Sequence, residues 1–232
     1  MWNGKKKAVT FSFDDGVTQD IRTVEILNRY GLKGTFNLNS GSLGCLGDTD
    51  PWGAVRHKVR ASMVRELYQG HEVAVHTLTH PNLTTLDEET IIRQVELDRR
   101  LLQELCGYDI VGMAYPCGGV NNDDRVAEII RANTPIRYAR TITSTHNFDL
   151  QDNLLRFNPT VYYSEEGVAE KLIDEFLAKE TNEPQLFYLW GHTYEFDRNG
   201  GNWERFENIC KMLSGKVDIF YGTNKEVLLK ND

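Results

Sequence analysis

The chain has 232 residues, 40% hydrophobic and 26% charged, with a formal net charge of −8 and a sequence pI of about 5.3. That length suits one domain with a sizeable core, read as a single unit over residues 1–232. The acidic balance gains nothing from phosphate counterion release, and no apolar run approaches ~20 residues, so nucleic acid and a membrane-spanning helix are both excluded as defaults.

The first residues, with the run Lys5-Lys6-Lys7, pass straight into Ala8-Val9-Thr10-Phe11-Ser12-Phe13-Asp14-Asp15. That stretch is too short and too soon acidic for a signal-peptide core, so the expectation is a cytoplasmic chain. Ala8–Phe13 reads as a strand stopped by Asp14-Asp15-Gly16. Gln19–Tyr30 carries Ile21, Val24 and Leu27 at helical spacing, and Gly31 ends it. Gly34–Leu38 is a second strand, followed by a long loop over Ser40–Arg60. Ser62 is expected to cap a short helix to Gln69, before a strand over Glu72–Val75 that ends at His76. Thr85 and Glu88 have capping-box spacing for a long helix with Ile91, Val95, Leu102 and Leu105 on one face.

Val111–Tyr115 is strand-like and stops at Pro116, Asp123–Ala132 is helical, and Arg137–Ile142 and Leu155–Phe157 look extended. A helix starting at Ser164 would bury Val168, Leu172, Ile173 and Phe176. Gln185–Trp190 is a strand ending at Gly191-His192, with a helix over Trp203–Leu213 and a last strand over Asp218–Tyr221. Thr223 and Glu226 form a second capping box before a terminal helix. The four cysteines, at 45, 106, 117 and 210, show no Cys-x-x-Cys spacing and read as free thiols.

Alternating strands and helices imply βαβ units and a parallel sheet. About seven units fit an α/β fold of the distorted, TIM-like (β/α) barrel kind. Asp14-Asp15, His76, Pro116-Cys117-Gly118 and His192 each fall just past a predicted strand's C-terminal end, the rim where barrels carry chemistry.

His76 and His80 stand four apart, the spacing of two metal ligands on one helical turn. Adjacent carboxylates Asp14 and Asp15 repel unless a cation or a division between ligand and base compensates. His192 has the chemistry of a proton donor to a leaving amine. Each has a plainer reading as well: a hydrogen-bonded loop corner, an acidic turn, a histidine tucked under Trp190, Tyr194 and Phe196. His57, His71 and His146 have no ligand-like neighbours in the pattern. Taken together, two histidines and a carboxylate leave coordination open for water, while a second carboxylate and a third histidine supply base and acid.

Thr10-Phe11-Ser12-Phe13-Asp14-Asp15-Gly16, His76-Thr77-Leu78-Thr79-His80, Ala114-Tyr115-Pro116-Cys117-Gly118 and Leu189-Trp190-Gly191-His192, in this order, resemble the motifs of the polysaccharide deacetylases. The resemblance implies that Asp14 is the general base and that Asp15, His76 and His80 hold one divalent ion, zinc first, with cobalt or nickel as alternatives. It implies too that the Cys117 backbone N–H serves the oxyanion and that His192 is the general acid. Tyr115, Pro116 and Trp190 are expected to touch the substrate, a carbohydrate or a small amide. Trp52 is a further aromatic that could stack on a sugar ring. The family's third motif carries an arginine where this chain has Ala114, with Arg140 or Arg156 as stand-ins. Glu195 and Asp197 are the candidates to support His192. Hydrolysis of small cyclic amides or O-acetyl esters, and a non-catalytic metal- and sugar-binding relative, are the alternatives.

Overall fold

β1 (Lys7–Asp14) is buried along its whole length, as a parallel strand covered on both faces must be. In the computed structural model, which describes residues 1–229, it pairs over its full length with β7 (Gln185–His192). Its other edge is shared. The N-terminal half, Lys7–Val9, pairs with β8 (Ile219–Tyr221), and the C-terminal half, Phe11–Asp14, pairs with β2 (Gly34–Leu38). From β2 the sheet continues through β3 (Glu72–Val75) and β4 (Gly112–Ala114) to β5 (Tyr138–Arg140), while β6 (Val161–Tyr162) lies beyond β7. All these pairs are parallel. The sheet curls into an irregular barrel. Phe157 N donates to Ala139 O at 3.0 Å and Thr141 N to Phe157 O at 2.9 Å, and then Thr160 N donates to Tyr188 O at 2.9 Å. One segment thus bridges from β5 to β7, in agreement with the distorted barrel expected.

Helices α1 (Asp20–Arg29), α2 (Val64–Leu67), α3 (Glu88–Cys106), α4 (Asp124–Asn133), α5 (Val168–Ala178) and α6 (Trp203–Leu213) alternate with the strands, and α7 (Asn224–Leu228) follows β8. Val9, Phe11 and Phe13 of β1 share the main core with Val24 and Leu27 of α1 and Phe206 and Ile209 of α6. Phe206 stacks on Phe196 at 4.5 Å and meets Phe13 edge-on at 5.7 Å. Truncating that buried ring to alanine would cost about 3–5 kcal/mol. A second apolar cluster holds Ala8, Tyr138, Tyr188 and Trp190 together with Trp2 and Val227, and Trp2 Nε1 donates to Val227 O at 3.0 Å.

Several local expectations are corrected. α3 is capped by Asp87, whose side chain accepts from Thr90 N, because Thr85 is used up in the preceding 3₁₀ turn, where its hydroxyl donates to Asn82 O at 2.8 Å. Ser62 lies inside a 3₁₀ turn, Ala61–Met63, and caps nothing. The 154–157 region is a 3₁₀ turn, Leu154–Arg156, with Phe157 alone pairing to Arg140, and the strand lies further on at Val161–Tyr162. α5 begins at Val168 after Gly167 (φ 75°), so its inner face is Ala169, Leu172, Ile173 and Phe176 while Val168 is 39% exposed. The second capping box stands: Thr223 accepts from Glu226 N, and the Glu226 carboxylate accepts from Thr223 N at 2.7 Å. Among the described residues no helix is long and apolar enough to cross a membrane, and the four cysteines are free thiols.

Candidate active site

The C-terminal ends of β1, β3, β4 and β7 surround a cavity of about 420 Å³ lined by, among others, Asp14, Asp15, His76, His80, Cys117 and His192. That volume suits a small organic ligand. Asp15 is the first residue past β1 and has left-handed backbone (φ 83°). Its N–H donates to Asn37 O at 3.0 Å, and Lys58 Nζ donates to its carbonyl at 2.7 Å. The turn aims Oδ1 at His80 Nε2, 3.6 Å away, and at His76 Nε2, 4.0 Å away.

The two histidines do not ride on a helical turn as their spacing suggests. They flank a bend in which Thr77 (φ 67°) and His80 (φ 62°) are left-handed. Asn39 Nδ2 pins this bend by donating to His76 O at 2.6 Å and Thr77 O at 3.0 Å. From below, the buried Asp98 accepts from His76 N at 3.1 Å. Burial pushes the Asp98 carboxyl up to about 7, against the hydrogen bonds from Ser40 and His76. Ligand atoms of Asp15, His76 and His80 all lie within 4.8 Å of one another. Their chemistry suits a divalent ion. Burial of Asp15 would raise its carboxyl, but Lys58 and the three histidines outweigh that and hold it ionised. Burial lowers His76 to about 4, so the ring is neutral. His76 Nδ1 lies 2.9 Å from Ala114 O, and donation there leaves the Nε2 lone pair free.

Asp14 ends β1 with 2% exposure. Arg140 Nη2 lies 2.5 Å from both of its oxygens. Asn37 Nδ2 donates to Oδ1 at 2.8 Å, and Oδ2 faces His76 Nε2 at 3.9 Å. Burial would raise the Asp14 carboxyl, but Arg140, His76 and His192 hold it below the usual range. Of the two arginines offered by the sequence, Arg140 reaches Asp14, while Arg156 is occupied by Asp124 and Asn122.

His192 is the register partner of Asp14 across β1 and β7. Glu195 Oε1 stands at an ion-pair distance of 3.5 Å from its Nδ1, the His192 backbone N–H donates to Oε2 at 3.3 Å, and Tyr162 OH and Arg198 donate to Oε1. Burial works against a charged ring, but Glu195 and then Asp15 and Asp14 raise the His192 pKa. Asp197 faces elsewhere, accepting from Trp203 Nε1 at 2.7 Å and Gln19 Nε2 at 2.8 Å. The aromatic cover is also present: Tyr194 lies 5.0 Å and Trp190 5.8 Å from the ring.

Cys117 is left-handed (φ 69°), with its turn clamped by buried Asn121, whose Nδ2 donates to Pro116 O at 3.0 Å and Cys117 O at 2.8 Å. Tyr115 and Trp190 line the cavity, whereas Pro116 is buried and shapes the turn. Trp52 lines a separate cavity with Arg198, whose guanidinium sits 4.5 Å over its ring. His57 accepts from Gly47 N, His71 from Gly34 N, and His146 pairs with Glu165. Sequence reasoning missed Asn37, Lys58 and Asn121. Only Asn37 left a signal, a polar residue alternating with Phe36 and Leu38 in β2.

The rim of this parallel barrel gathers a carboxylate and two histidines next to a second carboxylate and a third histidine. The polysaccharide deacetylase profile matches residues 2–134, and the chain belongs to that family. Peptidoglycan-N-acetylglucosamine deacetylase PgdA of Listeria monocytogenes is 30% identical over 126 residues, 53% of this chain and 24% of that protein. The chain therefore spans about a quarter of the length of such a relative. A mutant of BA3943 of Bacillus anthracis, described as a CE4 family pseudoenzyme with restored enzymatic activity, aligns over 97% of this chain and 68% of that one, at 18% identity and a TM-score of 0.60. A family 4 acetyl xylan esterase from Clostridium thermocellum aligns over 95% and 89%, at 14% identity and a TM-score of 0.60. These two likenesses concern the fold.

Proposed function

We propose that this chain is a metal-dependent deacetylase that removes an N-acetyl group from an amino sugar or its oligomers. The observation that carries the reading is the meeting of two groups at one cavity: Asp15, His76 and His80 converge, and Asp14 and His192 line the same space. Asp15, His76 and His80 would hold one divalent ion, zinc in the first instance, which when bound polarises a carbonyl and makes water more acidic. Asp14 then takes the water's proton at Oδ2, since Oδ1 is already held by both Asn37 and Arg140. The Cys117 N–H stabilises charge on the acetyl oxygen. His192 gives a proton to the departing nitrogen from Nε2, while Glu195 holds its Nδ1 side. An amide needs that donor, because an unprotonated amine leaves poorly. Tyr115, Trp190, Tyr162 and Tyr194 give the cavity aromatic walls suited to a sugar ring.

The test is acetate release from N-acetylglucosamine and its oligomers, using protein stripped of metal and reloaded with zinc. Release that returns with zinc and is lost in His76→Ala supports the reading. Stoichiometric zinc without release from these substrates sinks it, and release from acetylated xylan alone would favour the O-acetyl esterase instead.

A further inference from the structure

The motifs explain what surrounds Asp14 toward the rim and leave unexplained what lies beneath it. Inward-facing positions of a small barrel are usually filled by bulky apolar side chains. Here Thr10, Ser12 and Asp14 alternate along β1, all buried, beside buried Thr35 and Asn37 of β2 and Glu72 of β3. Their polar atoms are joined. Asn37 Nδ2 is 2.8 Å from Asp14 Oδ1 and 2.9 Å from Ser12 Oγ. Asn224, the first residue of α7, reaches the same Ser12 Oγ with its Nδ2 at 3.2 Å and accepts from the Thr10 hydroxyl at 3.0 Å. A second branch leaves Asn224 through its backbone: its N–H donates to Thr35 Oγ1 at 2.8 Å, and Thr35 donates to Glu72 at 2.9 Å. That branch ends on Tyr138 OH and Lys225 N without touching Asp14.

A carboxylate gripped on both oxygens by one guanidinium nitrogen can still pivot about that contact. A second donor on Oδ1, from a different strand, removes the pivot and leaves Oδ2 as the oxygen facing the metal-ligand histidines. We infer that Asn37 is a positioning residue for Asp14, and that Asn224 at the start of the C-terminal helix holds Asn37 through Ser12. The inference rests on reading Asp14 as the base. It makes the orientation of a rim residue depend on a helix at the opposite end of the barrel.

Asn37→Ala, Asn224→Ala and the control Glu72→Gln test it, each assayed for zinc content, melting temperature and acetate release from N-acetylglucosamine oligomers. Glu72→Gln alters the far end of the branch that bypasses Asp14 and keeps Thr35 Oγ1 as the acceptor of Asn224 N. Asn37→Ala should lower kcat by about 10- to 100-fold with KM within about twofold and zinc content unchanged. Asn224→Ala should lose kcat in the same manner by a smaller factor, and Glu72→Gln should lower the melting temperature while keeping kcat. In an Asp14→Asn background, Asn37→Ala should cost nothing further, because its partner is already disabled. Losses of kcat that track melting temperature across all three variants, or an equal Asn37 effect with and without Asp14, overturn the inference. Wild-type turnover in Asp14→Asn would instead overturn the reading of the base. A crystal structure of Asn37→Ala tests the same point without any substrate: an Asp14 carboxylate unmoved from its wild-type torsion also overturns it.

Discussion

Ala114 and Arg140 are register partners on neighbouring strands β4 and β5, and the guanidinium grips Asp14 from a strand next to the one where the family motif carries its arginine. One step sideways in the sheet keeps the charge at the same height along the barrel. Arg140 also lies 4.4 Å over the Trp190 ring, which fixes its plane.

Arg140→Ala is expected to cost about 3–5 kcal/mol of stability, because it leaves the buried Asp14 carboxylate unpaired. Acetate release should fall by about 10²-fold or more. Adding Ala114→Arg to that variant should recover activity, and urea unfolding with initial rates on both proteins checks it. A double variant no better than the single one would show that the neighbouring strands are not interchangeable supports.

Zinc should stabilise the native chain through Asp15, His76 and His80, which do not converge in the unfolded one. At a hundredfold excess over Kd the gain is about 2.7 kcal/mol, or roughly 5–10 °C for a domain of this size. Scanning calorimetry with and without zinc reads it. His80→Ala should abolish the shift, while Asp14→Asn should keep it and lose about 10²–10⁴-fold in kcat.

The alkaline limb of the pH profile belongs to His192 if it is the acid. Burial lowers its pKa, and Glu195 together with Asp15 and Asp14 more than offsets that, so the protonated form persists to higher pH than for a free histidine. Activity is then lost as pH rises through the raised value. Glu195→Gln removes the charge and should move the alkaline limb of kcat/KM to lower pH. Asp197→Asn, which alters a carboxylate bonded to Trp203 and Gln19, should leave the limb in place.

His71 supplies a pH effect on folding. Burial lowers it to about 4, and its Nδ1 accepts from Gly34 N at 3.1 Å. The folded chain therefore binds fewer protons than the unfolded one between about 4 and 6.5, and stability falls as pH drops through that window. Between pH 7 and pH 5 the loss should be about 2 kcal/mol from this group. Denaturant unfolding at both values measures it, and a His71→Asn chain with an equal loss would remove His71 as the cause.

Strand ends were legible because apolar β-prone runs stop at turn chemistry, and this put Asp14, Asp15, His76, Cys117 and His192 on one rim. Pairings were not. Arg140 and Arg156 look alike in one dimension, as do Glu195 and Asp197, and only the strand register and the turn after β7 separate them. Asn37 and Asn224 contact the same hydroxyl although they stand 187 positions apart in the numbering, 224 against 37. No local pattern encodes such a meeting. Asp87 displaced Thr85 as a cap because a 3₁₀ turn consumed the earlier hydroxyl, a competition between neighbours that spacing alone does not reveal.

Asp15, Thr77, His80 and Cys117 all hold the left-handed backbone that glycine adopts freely and side-chain-bearing residues adopt at a cost of about 1–2 kcal/mol each. Saturation libraries at these positions should therefore yield glycine among the more heat-resistant clones. At Asp15 and His80 those clones should also be silent, since relaxing the backbone deletes the donor atom it carries. Any effort to harden this barrel is better directed away from its mouth, where rigidity and reactivity draw on the same few residues.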